Sequence, residues 1–246
     1  ALQADVAAWV DVSFSLPFML LMPVYGRLGD GLGPRLLLII GIALFTLGSA
    51  TVMAATDLTW LLLGRVLQGV GSSGMMPLSI ALITSTFPPK NQGRTMGTWS
   101  TVGPATAFVG PLLAGFLVAD WGWRSAFAPP LLFGLFALFV VYKIIPYRIG
   151  EIEVGFLRAF DWGGVGLLIP GISSLIFFLS SRPITGIEPL EDWRLLLLAT
   201  LFLAAFFWLE KRHSSPFMPL DLLANSAFLR GSYCASMRMV IMAGIT

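Results

Sequence analysis

The sequence predicts an all-α, polytopic transmembrane bundle, and three observations carry that prediction. Of 246 residues, 57% are hydrophobic and only 11% are charged, against roughly 25% charged in a typical soluble domain. Mean hydropathy is +0.85. Apolar runs of about 20 residues, the length a helix needs to cross a hydrocarbon core, recur along the chain. Fifteen bases and thirteen acids cannot supply a polar skin for a soluble fold of this size. That excludes an ordinary soluble enzyme and a nucleic-acid binder. Backbone polar groups in lipid must be satisfied internally, so the spans are expected to be helices. The net charge of +2 implies no polyanionic partner. One cysteine, Cys234, and one histidine, His213, leave no disulfide framework and no multi-ligand metal site. No cofactor is implied.

The elements follow in order. The first span is Val6–Tyr25, closed by Gly26 and carrying a carboxylate, Asp11. Leu36–Ala55 follows the breakers Gly31, Gly33 and Pro34, and ends at Thr56 and Asp57. Leu58–Ile83 runs to the Pro88-Pro89 pair, Thr95–Val118 to Gly122, and Ala126–Ile145 to Pro146. Trp162–Leu179 and Trp193–Leu209 flank a break at Pro183 and Gly186, and Phe228–Thr246 follows Pro216 and Pro219. Proline and glycine at these boundaries punctuate helices. Alternate loops on the side of Arg27 and Arg35 hold ten of the fifteen bases, including Lys90, Arg94, Lys143 and Arg230. The opposite side holds Arg124, Arg182 and Arg194, and two arginines fall inside spans. Cytoplasmic loops concentrate lysine and arginine, so the Gly26–Arg35 loop is expected to be cytoplasmic. Trp9, Trp60, Trp121, Trp123 and Trp193 then lie where an interfacial aromatic belt belongs.

Few charges sit at costly depths. Arg65 lies inside the third span, where an arginine costs at least about 2.5–3.5 kcal/mol on insertion scales. It either snorkels to the outer surface or meets an acid or a wet cavity. Gln68 lies three residues on and shares its helix face. Asp11 sits at about the depth of Arg65 and is the candidate partner for an ion pair that weakens on protonation. The alternative is a carboxylate facing the headgroups. Arg238 lies near the middle of the last span. It faces an acid outside this chain, an anionic substrate group, or a boundary if the true span starts later.

Between the first two spans stands Gly26-Arg27-Leu28-Gly29-Asp30-Gly31-Leu32-Gly33-Pro34-Arg35, a glycine-rich turn in which sharp dihedrals are permitted. It resembles motif A of the major facilitator superfamily, Gly-x-x-x-Asp-(Arg/Lys)-x-Gly-(Arg/Lys)-(Arg/Lys). Gly26, Asp30, Gly33 and Arg35 match. Gly31 stands where that family usually has a base, and Pro34 also departs. Arg65-x-x-Gln68-Gly69-x-Gly71 resembles motif B of the same superfamily, whose arginine is linked to proton coupling. Gly110-Pro111-x-x-Ala114-Gly115, with Gly103-Pro104 before it, resembles motif C, the antiporter motif. The Asp161-Trp162-x-Gly164 entry and the Ser215-Pro216-x-x-Pro219-Leu220-Asp221-Leu222 exit resemble the fourteen-span drug:proton antiporter family. Gly69-Val70-Gly71-Ser72-Ser73-Gly74 also fits a dinucleotide fingerprint, but it follows no strand and lies within an apolar helix, so it is not such a site.

The resemblance implies a secondary active transporter, not an enzyme. It implies a proton-coupled exporter of small amphiphilic or cationic compounds that works by alternating access in the plasma membrane. Two alternatives stay open: a metabolite symporter or uniporter, and a non-transporting membrane sensor on the same fold. The latch role falls on Gly26, Asp30, Gly33 and Arg35, with Arg94 either pairing with Asp30 or solvated. Proton coupling falls on Arg65 and Gln68, with Asp11 added from its depth alone. The antiporter motif falls on Gly103, Gly110, Pro111 and Gly115, and Arg238 is the substrate-path candidate. Residues 1–146 read as most of a six-helix half whose first helix precedes Val6. Residues 147–160 read as a cytoplasmic linker, 161–210 as an inserted helix pair, and 211–246 as a loop and the start of a second half. Partners are expected to be a small-molecule substrate, protons and the lipid bilayer, with the whole protein a monomer.

Overall fold

Helix α1 outlasts the apolar run that predicts it. In the computed structural model it covers Leu2–Leu32, so the glycine-rich stretch after Tyr25 is helical instead of looped. The structure describes residues 2–145, 155–179, 193–212, 217 and 226–243, with side chains undescribed at 2–7, 159, 227, 235, 236 and 238–243. Arg148, Arg182, His213, Pro216, Pro219 and most of the linker lie outside the described residues. The turn to the next helix narrows to one residue, Gly33, with φ at 81°. That is the left-handed region glycine enters without penalty. The Gly33 N–H bonds the Gly29 carbonyl at 3.1 Å, and Pro34 opens α2, where its missing N–H is not needed.

Helix α2 is Pro34–Met53, and α3 is Leu58–Ser73, capped by the Asp57 side chain, which accepts from the Trp60 N–H at 3.0 Å. The predicted third span is broken at Gly74, and α4 covers Met75–Thr86. Two features explain the break. Pro77 has no N–H to return to the preceding turn. Ser72 and Ser73 turn their hydroxyls back onto the Gln68 and Val70 carbonyls, each at 2.7 Å, a habit that loosens a helix. Together α3 and α4 still make one span-length unit, Leu58–Thr86. Helix α5 is Pro89–Trp121, so the basic Pro88–Arg94 stretch forms its first turns instead of a loop. A 3-10 turn, Trp123–Phe127, leads into α6, Ala128–Ile144. The short α7 is Phe156–Ala159, α8 is Trp162–Leu179, α9 is Trp193–Glu210 and α10 is Ser226–Ala243. Among the described residues, seven helical segments are long and apolar enough to cross a membrane.

Packing centres on α3. It lies against α2 and α1, α2 also meets α6, and α8 pairs with α9. The α2–α3 seam is closed by glycine facing glycine. A methyl on Gly41 would lie 2.7 Å from the Gly71 carbonyl oxygen, and one on Gly48 would lie 2.7 Å from the Gly64 carbonyl oxygen. Small residues of this kind let helix backbones approach in a membrane, where packing and not water exclusion drives association. Helix α5 stands apart: it touches α4 and the 3-10 turn, and none of its residues is buried.

The 3-10 turn is tied to the far end of α2. The Arg124 guanidinium donates to the Ala55 carbonyl at 2.7 Å and lies 4.9 Å from the Trp123 ring centre. Arg124→Gln is expected to lower stability by about 1 kcal/mol, one charge-assisted bond at a partly exposed site. A thermal melt of the detergent-solubilised protein checks this; an unchanged midpoint would show that the tie is idle.

Candidate functional site

A chain of polar groups crosses three helices inside the bundle. The Arg65 Nε–H donates to the Val10 carbonyl at 3.2 Å, and its Nη1 donates to Gln68 Oε1 at 3.2 Å. Gln68 Nε2 donates to Ser49 Oγ at 2.9 Å, and that hydroxyl donates to the Phe45 carbonyl at 2.9 Å. Gln68 is 2% exposed and Ser49 is 0% exposed. The guanidinium also lies over the Phe14 ring at 4.5 Å, close enough for a cation–π contact. Arg65 therefore neither snorkels freely nor sits bare. It links α1, through Val10 and Phe14, to α3, and Gln68 extends the link to α2.

The local sequence puts these groups together. Arg65 and Gln68 are one turn apart on α3. Gly64 and Gly69 flank them, and a methyl on Gly69 would meet the Phe14 carbonyl and Pro17. The close approach these glycines allow brings the Val10 carbonyl and Ser49 within reach of the two side chains. The false dinucleotide fingerprint resolves the same way, since Gly69, Gly71 and Gly74 all meet neighbouring helices. Ser49, Phe14 and the Val10 carbonyl carry no sequence signal of their own. The matching depths of Asp11 and Arg65 point to the right turn of α1, one residue off.

The expected Asp11–Arg65 ion pair is not formed among the described residues. Arg27–Asp30 is the ion pair seen there, Asp11 is exposed, and Arg65 spends its hydrogen bonds on Val10 and Gln68.

The motif A residues are regrouped by the helix that contains them. Asp30 pairs with Arg27 at 3.6 Å, one turn back, and is 64% exposed. Arg94 is exposed on α5 and forms no ion pair with Asp30. Arg35 crosses to α6 instead, where it donates to the Tyr142 carbonyl at 3.0 Å and lies 6.0 Å from that ring's centre. Gly26 sits beside Pro77 of α4, where a methyl would find ordinary contact at 3.8 Å. Gly33 makes the turn. The contact is thus between α2 and α6 and not between two loops.

The motif C residues look onto open space. Methyls added at Gly103, Gly110 and Gly115 would meet nothing within 4 Å, so no neighbouring helix packs closely on these glycines among the described residues. Gly110 borders an apolar cavity of about 850 Å³ between α2, α4, α5 and α6, walled by Phe45, Leu82, Thr106, Phe133 and Val141. The Thr106 hydroxyl is already turned to its own helix, at 2.9 Å from the Val102 carbonyl. Arg238 lies on α10, but its side chain is outside the described residues. No group of metal-ligating side chains occurs among the described residues.

Span-length apolar helices, a glycine seam and an arginine-centred polar chain in the bundle define a polytopic integral membrane protein. The chain belongs to the Major Facilitator Superfamily, whose family model matches residues 1–245. It is 32% identical over 229 residues to "Multidrug resistance protein Stp" of Mycobacterium tuberculosis, covering 93% of this chain and 42% of that protein. It is 30% identical over 249 residues to "Tetracenomycin C resistance and export protein" of Streptomyces glaucescens, covering 99% of this chain and 45% of that protein. "Multidrug resistance protein 3" of Bacillus subtilis is 27% identical over 230 residues, covering 91% and 43%. The chain thus spans less than half the length of these relatives.

Proposed function

We propose that this chain forms part of a proton-driven exporter of small amphiphilic or cationic compounds that works by alternating access. The carrying observation is the Val10–Arg65–Gln68–Ser49 chain of hydrogen bonds, which places a charged and a buried amide group between three span-length helices. A packed bundle has no structural need for such groups, and intramembrane charges mark ion or substrate paths. The names of the three relatives, two for multidrug resistance and one for export of tetracenomycin C, favour efflux of drug-like molecules. Asp11, next to Val10 in the chain, stays the proton-coupling candidate beside Arg65 and Gln68, and proton binding would bias the polar chain between states through differential affinity. The Gly26–Arg35 side is assigned to the cytoplasm from its bases, and residues 161–210 to an inserted pair in a fourteen-span whole. Motif A acts as a latch through Arg35 on Tyr142, motif C supports the antiporter reading, and Arg238 stays a substrate-path candidate.

The test uses the full-length protein in everted vesicles with an acidified lumen. Adding a lipophilic cation is expected to alkalinise the lumen while the cation accumulates. Accumulation without proton movement would make it a uniporter or symporter. Neither signal with any of a panel of cations would favour the membrane sensor. Asp11→Asn is expected to weaken the pH dependence of exchange at most a few-fold without abolishing it, because no direct contact to Arg65 is lost; complete loss would show a direct role.

A further inference from the structure

Gly31, one of the two residues that stand where motif A has a base, lies under an aromatic ring. A methyl on Gly31 would overlap the ring of Phe156, meeting three of its carbons. Gly31 is in the last turn of α1, and Phe156 is the first residue of α7, 125 positions later in the chain. The ring does not rest there alone. Phe156 meets Phe160 edge-on at 5.7 Å, and Phe160 meets Phe217 edge-on at 6.1 Å and Trp162 at 4.7 Å. Phe160 and Phe217 are buried in one cluster with Val165 and Leu168 of α8, Phe206 of α9 and Val24 of α1, and Leu21, Leu28 and Phe156 pack against it. Aromatic contacts of this geometry add about 0.5–1.5 kcal/mol each beyond area burial. The start of α8 is fixed in turn, because Asp161 Oδ1 accepts from the Gly164 N–H at 2.8 Å.

A run of rings therefore connects the end of α1 to the start of α8, and the buried cluster it enters takes in Phe206 of α9. The same end of α1 leads through Gly33 into Arg35, which holds α6. Any movement of this turn must either carry the α8–α9 pair with it or slide Phe156 off Gly31. Only glycine at 31 leaves room for the ring.

We propose that Phe156 is a positioning residue of the transport cycle: seated on Gly31, it ties the α8–α9 pair to the α1–α2 turn, and release of that seat is a step of the cycle. The ring takes the place that a basic side chain would fill, so contact replaces charge as the means of holding the turn. The proposal rests on the transport reading above, and its test separates the two.

The experiment is a reversible cross-link in the full-length protein, with all other cysteines, including Cys234, replaced by serine. Gly31→Cys and Phe156→Cys put two thiols at the point where a Cβ on residue 31 would touch the first ring carbon of Phe156, one bond from that residue's own Cβ, and a disulfide forms only between Cβ atoms about 3.5–4.5 Å apart. Oxidation is expected to give the cross-link and to slow export of a lipophilic cation by about tenfold or more relative to the same variant held reduced, whose own rate is lowered by loss of the ring, since tenfold needs only about 1.4 kcal/mol of unfavourable state bias. A cross-link that leaves export unchanged overturns the proposal, as does failure of the two cysteines to bridge. Deuterium uptake across residues 26–35 gives a second reading that needs no transport. Phe156→Ala is expected to speed exchange there about fivefold or more and leave residues 58–73 unchanged, a local loss of protection. Unchanged exchange at 26–35 overturns the proposal. If neither the reduced cross-link variant nor the unsubstituted protein exports the cation, the transport reading fails and the exchange result still decides the role of Phe156.

Discussion

Arg65→Leu is expected to cut export by about tenfold or more and to lower stability at the same time. Leucine removes the donor to Gln68 Oε1 and leaves that oxygen buried, with Gln68 only 2% exposed. An unsatisfied buried acceptor costs about 1–3 kcal/mol. The Val10 carbonyl suffers less, because Ser13 Oγ also donates to it at 3.0 Å. Arg65→Lys is the informative companion. An ammonium keeps the charge but lacks the planar fork that reaches Val10 and Gln68 together. Lysine is therefore expected to recover part of the stability and little of the export. Efflux per folded molecule, measured with the melting midpoint on the same preparation, checks both. Wild-type efflux from a less stable Arg65→Leu protein would reduce the polar chain to a structural tie.

Gly71→Val is expected to prevent the bundle from assembling, and Gly71→Ala to destabilise it by about 1–3 kcal/mol, the usual cost of overpacking. A methyl at Gly71 would fall on the Phe45 N–H and the Gly41 carbonyl, which are backbone atoms of α2 and cannot swing aside. The whole helix would have to retreat, stretching the Gln68–Ser49 bond at the same seam. Gly26→Ala is the control. Its methyl meets Pro77 at an ordinary 3.8 Å, and alanine gains about 0.5–1 kcal/mol over glycine within a helix. Thermal melts of the three variants should rank Gly26→Ala highest and Gly71→Val lowest. Equal midpoints for Gly71→Ala and the unsubstituted protein would show that the α2–α3 seam is looser than this geometry.

The apolar periods were enough to find each span-length helix, because the cost of an unsatisfied backbone in lipid leaves few other choices. They were poor at boundaries. Helix α1 runs seven residues past Tyr25 to Leu32, since the helical state tolerates glycine at moderate cost and the turn needs only Gly33. Helix α5 begins at Pro89, six residues before the apolar run at Thr95, because polar first turns are helical too. For the site, the pairing of Arg65 with Gln68 was legible from their three-residue spacing. The third member, Ser49, was not, because serine in an apolar helix is common and nothing in the chain marks which one is opposed.

What the sequence determined alone was the class of structure, the approximate spans, the depth of Arg65 and the side that gathers the bases. These depend on local composition and on the energetics of placing single residues in hydrocarbon. Tertiary structure decided who meets whom. Asp11 and Arg65 share a depth, yet the guanidinium takes the Val10 carbonyl, because helix rotation points the carboxylate outward. Asp30 takes Arg27 from its own helix in preference to Arg94, because the stretch is helical and puts them one turn apart. Gly31 reads as a missing base until the fold brings Phe156 to cover it. Such pairings depend on the rotation and separation of helices far apart in sequence, and close backbone approach at a few glycines sets both.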